Sequence, residues 1–237
     1  MSQMSPSVGP WTVIVPMKAP TQAKSRLRAT VRGQLPAPDA TALATAFLRD
    51  VIDASSSAMR VGRVLVISPD PIVEMVVAES DCRFLQEDPP TAESAISCIN
   101  RAIVQAVAHV RSGHPTTAVV VLTGDLAALT SDSLDAALKL SESFNGPCFV
   151  ADQHGTGTTA LMLPGEAWTV PAFGIDSAAA HVAAGVTDIS GQVGLDLRSD
   201  VDTAVDLDAA IELGVGAHTS RLLSEAPQAS GGPPQLG

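Results

Sequence analysis

Two groups of acidic residues stand where they could bind a hard divalent cation. Asp125 follows the most strand-like run in the sequence, residues 118–122, and a carboxylate at such a strand end either binds a cation or caps the next helix. The second group is Asp196, Asp200 and Asp202. If that segment is extended, Asp200 and Asp202 point to one side, since side chains alternate along a strand. An acidic turn alone is more often solvated than metal-bound, so only the two groups together indicate a metal site.

The loop after the first predicted strand carries the cations Lys18, Lys24, Arg26 and Arg28. The first three form a cluster that could do chemistry. Such a loop could hold a triphosphate through charge-assisted hydrogen bonds, with the guanidinium group binding in a bidentate way. A solvated basic loop is the alternative interpretation. Because the chain carries a formal net charge of -11, a cluster of cations favours a functional role.

A glycine-rich turn between two predicted strands resembles a dinucleotide-binding fingerprint. The run Gly155-Thr156-Gly157-Thr158-Thr159-Ala160 has the required glycine spacing, but a strand follows it rather than a helix whose N-terminus could meet a pyrophosphate. The strand that follows this turn therefore argues against a dehydrogenase. The Walker pattern and the Gly-x-Ser-x-Gly nucleophile motif are also absent from the sequence.

Composition and charge limit the classes of partner. A net charge of -11 argues against nucleic-acid binding, which depends on basic patches that displace counterions. No run approaches the roughly 20 apolar residues that cross a bilayer, and the N-terminus does not have the pattern of a secretion signal. We expect a cytoplasmic protein that binds small molecules; the sequence leaves open a homodimer.

Strand and helix patterns alternate along the chain and position these residues. Strands are predicted at 11–17, 64–67, 83–85, 118–122, 148–151 and 159–163, with one or two more in 187–197. Helices are predicted at about 39–54, 71–79, 92–110, 131–142, 175–184 and 203–213. This alternation predicts a mostly parallel central sheet, with an antiparallel or mixed portion, covered by helices on both faces.

Polar residues that directly follow the predicted strands should line one edge of this sheet. They are Lys18, Ser68, Asp70, Asp125 and Asp152, and ligands of such sheets gather at the carboxyl ends of the strands. We expect a single domain over residues 11–223, a flexible N-terminus at 1–10 and a disordered tail at 224–237, where Ser, Gly and Pro predominate.

Taken in order, several short motifs resemble one enzyme family. It comprises the guanylyltransferases that act on phosphoenolpyruvate, 2-phospholactate or related phosphoacids in biosynthesis of a deazaflavin coenzyme. The matching segments are Val15-Pro16-Met17-Lys18, Ala23-Lys24-Ser25-Arg26-Leu27, Ile67-Ser68-Pro69-Asp70, Asn100-Arg101-Ala102-Ile103, Gly124-Asp125-Leu126, Ala151-Asp152, Gly155-Thr156-Gly157-Thr158, Phe173-Gly174-Ile175-Asp176-Ser177 with His181, and Asp200-Val201-Asp202-Thr203. Each is weak alone, and their order along residues 11–222 makes the resemblance strong.

The resemblance implies a three-layer α/β fold, the Rossmann-type fold of nucleotide-diphospho-sugar transferases. It implies that Asp125 and Asp202 hold Mg²⁺, and that Lys18, Lys24 and Arg26 neutralise charge during catalysis. The nucleotide would contact Ser68, Asp70 and Asn100, and the phosphoacid would contact Thr158, Gly174 and Ser177. In two places the sequence departs from the family pattern, since Ala127 and Ala204 stand where proline is usual.

The implied reaction is attack by a substrate phosphate oxygen on the α-phosphorus of GTP, with loss of pyrophosphate. A phosphate monoester is largely ionised at neutral pH, so no general base is needed. Phosphoenolpyruvate is the expected acceptor; 2-phospho-L-lactate and 3-phospho-D-glycerate remain alternatives. A nucleotidyltransferase for sugar phosphates or pterins would begin with a Gly-Gly loop, which this chain lacks. A catalytically silent nucleotide-binding protein is the alternative from another class.

Overall fold

The computed structural model of the chain describes residues 10–19, 39–89 and 95–225. Lys24 and Arg26, with most of the predicted flexible N-terminus, lie outside these residues. The strands are β1 (Trp11–Pro16), β2 (Val61–Ser68), β3 (Arg83–Gln86), β4 (Val119–Leu122), β5 (Cys148–Ala151), β6 (Thr158–Leu163) and β7 (Thr187–Asp188). The helices are α1 (Asp39–Ser57), α2 (Pro71–Ala78), α3 (Ala95–Arg111), α4 (Ser131–Ser141), α5 (Ser177–Ala183), α6 (Ala204–Leu213) and α7 (Ala217–Glu225).

All seven described strands form one mixed sheet in the order β3-β2-β1-β4-β6-β5-β7. Strand β6 runs antiparallel to its neighbours β4 and β5, whereas the other pairs are parallel. The predicted mostly parallel α/β sheet is confirmed. The carboxyl ends of β1 to β5 therefore meet at one edge, and β6 begins at the same edge with Thr158.

Successive side chains of the central strands point to opposite faces of the sheet and pack into two separate hydrophobic layers. Val13 and Val15 of β1 pack with α1, α2 and α4 on one face, whereas Ile14 packs with α3 and α5 on the other. Both faces of these strands are apolar because helices cover both, as is usual for parallel sheets. The arrangement confirms the expected three layers.

The C-terminal part of the fold agrees with the sequence prediction in one segment and departs from it in another. The region 187–197 contains one of the one or two strands predicted there, Thr187–Asp188, and two short 3-10 turns follow it. Helix α7 was not predicted, and it extends to Glu225, past the predicted start of the tail at residue 224. Within the described part of the chain, no helix has the length and apolar character needed to cross a membrane.

Candidate functional site

Three aspartates converge beyond the carboxyl end of β4. One carboxylate oxygen from each of Asp125, Asp200 and Asp202 lies within 4.8 Å of the other two. A backbone hydrogen bond of 3.1 Å, from the N–H of Val201 to the carbonyl oxygen of Asp125, joins the two segments. The two acidic groups that the sequence analysis paired thus meet, and Asp200 joins the two predicted metal ligands.

Asp206 fixes the backbone on which Asp202 stands. Its Oδ2 atom accepts hydrogen bonds from the N–H groups of Asp202 at 3.2 Å and Thr203 at 2.7 Å. The Thr203 hydroxyl caps the first turn of α6 in return, which makes a capping box. Ala204, where the family usually has proline, is the first residue of this helix. The capping box therefore orders the position despite the missing proline.

Asp196 does not join the carboxylate group. Its carboxylate accepts hydrogen bonds from the Thr130 N–H and hydroxyl and from the Ser133 hydroxyl, at 2.7 to 3.2 Å. These donors belong to the N-terminal turn of α4. Grouping Asp196 with Asp200 and Asp202 was therefore wrong; this carboxylate anchors the acidic segment to a helix end.

Arg198 holds the same segment against β5. Its guanidinium donates to the backbone carbonyls of Ala151 at 3.1 Å and Asp152 at 2.9 Å, and more weakly to that of Ser190 at 3.4 Å. The Thr159 hydroxyl donates to the carbonyl of Leu197 at 2.7 Å. These contacts fix the position of the segment that carries Asp200 and Asp202.

The glycine-rich turn is organised by Asp152. The Asp152 carboxylate accepts the N–H groups of Thr156 at 2.9 Å and Gly157 at 2.8 Å. A Cβ atom at Gly157 would lie 2.5 Å from the Asp152 carboxylate, so glycine is required there. Asp152 therefore fixes the conformation of the turn, and the turn places Thr158 in the lining of the cleft.

The three predicted phosphoacid-binding residues lie on one wall of the cleft. Gly174 has a φ of 135° and Asp176 a φ of 55°; both values lie in a region that side-chain-bearing residues seldom adopt. Ser177 begins α5, and its hydroxyl oxygen is buried with no hydrogen-bond partner among the described residues. Leaving a buried hydroxyl unsatisfied costs about 1 to 3 kcal/mol. A bound anion could supply the missing partner.

Asn100 clamps the backbone beside this wall. Its side-chain amide donates to the carbonyl of Phe173 at 3.0 Å and accepts the Phe173 N–H at 2.8 Å. The family resemblance implies a nucleotide contact from Asn100, which stays a prediction. In the structure, its amide supports the segment that carries Gly174.

His181 lies behind the same wall and is fully buried. Its Nδ1 atom is 3.0 Å from the Thr158 hydroxyl, and its Nε2 atom is 3.2 Å from the backbone nitrogen of Ala172. Burial lowers the pKa of His181, an effect partly offset by a hydrogen bond to the Ser177 backbone. This buried role leaves no local pattern in the sequence, because the partners of the ring come from other segments of the chain.

Three more predicted residues among those the structure describes, Lys18, Ser68 and Asp70, lie at the same sheet edge. Lys18 is exposed just after β1. The Ser68 hydroxyl accepts the N–H of Asp70 at 3.1 Å, and Asp70 caps α2 through the N–H of Ile72 at 2.8 Å. Both side chains thus have local structural roles, and their contact with a nucleotide stays a prediction, as does that of Lys24 and Arg26.

A cleft of about 800 Å³ connects the acidic group with the wall formed by Thr158, Gly174 and Ser177. Asp200 and Asp202 line one part, and the exposed side chain of His154 lines another. No lysine or arginine is among the described residues that line it. Three converging carboxylates suit a hard cation such as Mg²⁺, which takes oxygen ligands.

Solved structures share this fold at low sequence identity. A putative nucleotide-diphospho-sugar transferase from Desulfovibrio desulfuricans G20 superimposes with a TM-score of 0.65 at 14% identity, covering 92% of this chain and 95% of that one. A 4-diphosphocytidyl-2C-methyl-D-erythritol synthase superimposes with a TM-score of 0.57 at 12% identity, covering 86% and 98%. At these identities the likeness establishes the fold alone.

Sequence comparison identifies closer relatives. The chain is 37% identical to a phosphoenolpyruvate guanylyltransferase from Streptomyces avermitilis, covering 92% of this chain and 98% of the relative. It is 38% identical to one from Nocardia farcinica, covering 90% of each. The profile of the family described as "Guanylyl transferase CofC like" matches residues 11–225. The chain therefore belongs to the CofC-like guanylyl transferase family.

Proposed function

We propose that this chain is a cytoplasmic, Mg²⁺-dependent enzyme that transfers GMP from GTP to phosphoenolpyruvate in biosynthesis of a deazaflavin coenzyme. The observation that carries the proposal is one cleft that joins a three-carboxylate group to a wall suited to an anion. A nucleotide phosphate near the carboxylates would then lie within reach of an acceptor phosphate on the opposite wall. Proximity of this kind is a large part of catalysis in group transfer.

The charge of the cleft supports the need for a metal. Asp176, Asp200 and Asp202 line it, and the described lining residues include no lysine or arginine. Such a surface would repel a triphosphate unless cations are added. When bound, Mg²⁺ would neutralise phosphate charge, and Asp125, Asp200 and Asp202 would hold it. Lys18, Lys24 and Arg26 are the proposed protein cations.

The chemistry requires no proton transfer from the protein. A phosphate oxygen of the acceptor forms a bond to the α-phosphorus of GTP, while the bond from that phosphorus to the α–β bridging oxygen breaks and pyrophosphate leaves. The nucleophile is already ionised because the second pKa of a phosphate monoester is about 6. Thr158 and Ser177 orient the acceptor, and the Gly174 backbone lets it approach closely.

The choice of phosphoenolpyruvate rests on the relatives. Several curated proteins that match more than 85% of the chain carry that acceptor in their names. 2-Phospho-L-lactate and 3-phospho-D-glycerate present the same carboxylate and phosphate groups, so they are the alternatives for the same reaction.

Pyrophosphate release tests the proposal against a catalytically silent nucleotide-binding protein. The purified chain is incubated with GTP, Mg²⁺ and phosphoenolpyruvate, and the controls omit the acid or replace GTP with ATP. We expect release that depends on the acid and on GTP and that stops when the metal is chelated. GTP binding without any release, whichever acid is added, would favour the silent protein.

A further inference from the structure

We propose that His181 is a positioning residue of the acceptor site: its neutral ring, protonated on Nδ1, turns the Thr158 hydroxyl so that the hydroxyl donates its proton to the phosphoacid. The inference rests on the proposed function, because it assigns the phosphoacid to the wall that Thr158 forms. His181 itself is buried and is not among the residues that line the cleft.

The hydrogen bonds of the ring assign its protons. The N–H of Ala172 can only donate, and it points to Nε2 at 3.2 Å, so Nε2 must be the unprotonated, accepting nitrogen. A neutral imidazole then carries its proton on Nδ1. That atom lies 3.0 Å from the Thr158 hydroxyl oxygen. The same proton also serves the hydrogen bond to the Ser177 backbone, so the Thr158 oxygen can only accept from the ring and cannot donate to it.

This assignment leaves the Thr158 hydroxyl with a proton to donate. A hydroxyl has one proton and two acceptor lone pairs, and a ring that is protonated on Nδ1 cannot accept the proton. Thr158 lines the cleft, where carboxylate and phosphate oxygens of the acceptor need donors. The buried histidine thus converts a hydroxyl of undefined direction into an oriented donor.

The same ring forms hydrogen bonds to two of the segments that make up the wall. It contacts the start of β6 through Thr158 and the loop before Gly174 through Ala172. Phe149 and Phe173 pack on it, with ring centroids at 5.4 and 5.7 Å. This packing fixes the plane of the imidazole and hence the direction of both hydrogen bonds.

Burial keeps the ring neutral, as the assignment requires. The pKa of His181 is lowered mainly by desolvation. An imidazolium would carry protons on both nitrogens, so its Nε2–H would face the N–H of Ala172. The neutral form is the one that keeps the hydrogen bond from the N–H of Ala172.

Replacing His181 with asparagine or glutamine tests its hydrogen bonds to Thr158 and Ala172 one at a time. The amide of His181→Asn reaches the position of Nδ1 and keeps a donor for Thr158, whereas the amide of His181→Gln reaches the position of Nε2 and keeps an acceptor for Ala172. We expect His181→Gln and His181→Phe to raise the KM for phosphoenolpyruvate by about tenfold. His181→Asn should stay within about threefold, and all three should leave the KM for GTP nearly unchanged.

A double-mutant cycle with Thr158→Val tests whether His181 acts through that hydroxyl. In the Thr158→Val background, His181→Phe should change the acceptor KM by less than about twofold, because residues that act as a unit are not additive. His109→Phe, at an exposed histidine of α3, is the control. An additive cycle, or equal effects of His181→Asn and His181→Gln, would overturn the proposal.

The tautomer is measurable without substrate. Imidazole ¹⁵N NMR of the wild-type protein at pH 7 should show His181 neutral, with a protonated Nδ1 and an unprotonated Nε2. A ring protonated on Nε2 would overturn the positioning role. This measurement also separates the two proposals, since a chain that makes no product from any phosphoacid would contradict the proposed function and leave the tautomer result standing.

Discussion

The carbonyl oxygen of Asp125 accepts a hydrogen bond from the N–H of Val201 at 3.1 Å. Together with the hydrogen bonds of Arg198 and Asp206, this contact places the segment between Asp200 and Asp202 beside the end of β4. The carboxylates of all three aspartates consequently converge to within 4.8 Å of one another. The acidic group is thus built by backbone pairing between segments that are far apart in sequence.

Replacing any one of these aspartates with asparagine should lower turnover by at least about a hundredfold. Each substitution removes one negative charge from the proposed cation site while preserving side-chain size. Steady-state kinetics across a Mg²⁺ titration measures the effect, and thermal unfolding should confirm that the fold survives. Near-normal turnover of Asp125→Asn, Asp200→Asn or Asp202→Asn at saturating Mg²⁺ would remove that residue from the metal site.

Asp206→Ala should lower turnover by at least about tenfold, because the Asp202 backbone would lose the acceptor that fixes it. The lost cap should also destabilise the fold by about 1 kcal/mol. Asp135→Ala is the matched control: Asp135 also accepts two backbone N–H groups, those of Met59 and Arg60, but does not line the cleft. Equal turnover of the two variants would show that Asp206 has only a stabilising role.

Gly174→Val should raise the KM for the acceptor steeply while leaving the affinity for GTP within a few fold. The φ of 135° at this glycine disfavours a β-branched residue, and the new side chain would stand where the acceptor meets the backbone. Gly165→Val is the control, since Gly165 also has a positive φ of 56° but lies outside the cleft. Titration of both ligands by calorimetry measures the effect. Equal loss of GTP and acceptor binding would mean that this turn shapes the whole site.

Burial of neutral His181 should make the fold less stable in mild acid. An unfolded chain takes up the proton near the ordinary histidine pKa of about 6.5, whereas the folded chain resists because its pKa is lowered. The unfolded state therefore binds more protons, so the free energy of unfolding falls as pH drops below that value. Urea unfolding at pH 7.5 and 5.5 should show a smaller difference for His181→Phe than for wild type. The same difference in both proteins would contradict this account.

Much of the fold could be predicted from the sequence because its signals are local. Continuous apolar runs before Lys18 and before Asp125 predict buried strands, and the alternation of strands with helices predicts the sheet. In a parallel sheet the carboxyl ends of the strands lie at one edge, so the residues that follow each strand could be placed together at that edge. The predicted antiparallel portion likewise follows from the short turn around Gly155.

The rest depends on contacts between distant residues. Helix α7 is polar, and its N-terminal N–H groups at His218 and Thr219 are capped by Asp50 of α1, at 2.9 and 3.0 Å. Asp196 and His181 also depend on distant partners, since Ser133 is 63 residues from Asp196 and Thr158 is 23 residues from His181. A carboxylate that binds metal and one that anchors a helix have the same local sequence pattern, so only the fold separates Asp196 from Asp200.

The most direct test of the central claim is to identify the product formed by the wild-type protein. GTP, Mg²⁺ and equal concentrations of phosphoenolpyruvate, 2-phospho-L-lactate and 3-phospho-D-glycerate are mixed with the enzyme, and the unstable product is detected at once by mass spectrometry. We predict a species in which GMP is joined through its phosphate to phosphoenolpyruvate, with Asp125→Asn giving almost none. A dominant product from another acid would overturn the acceptor assignment, and no guanylylated product from any of the three would contradict the account.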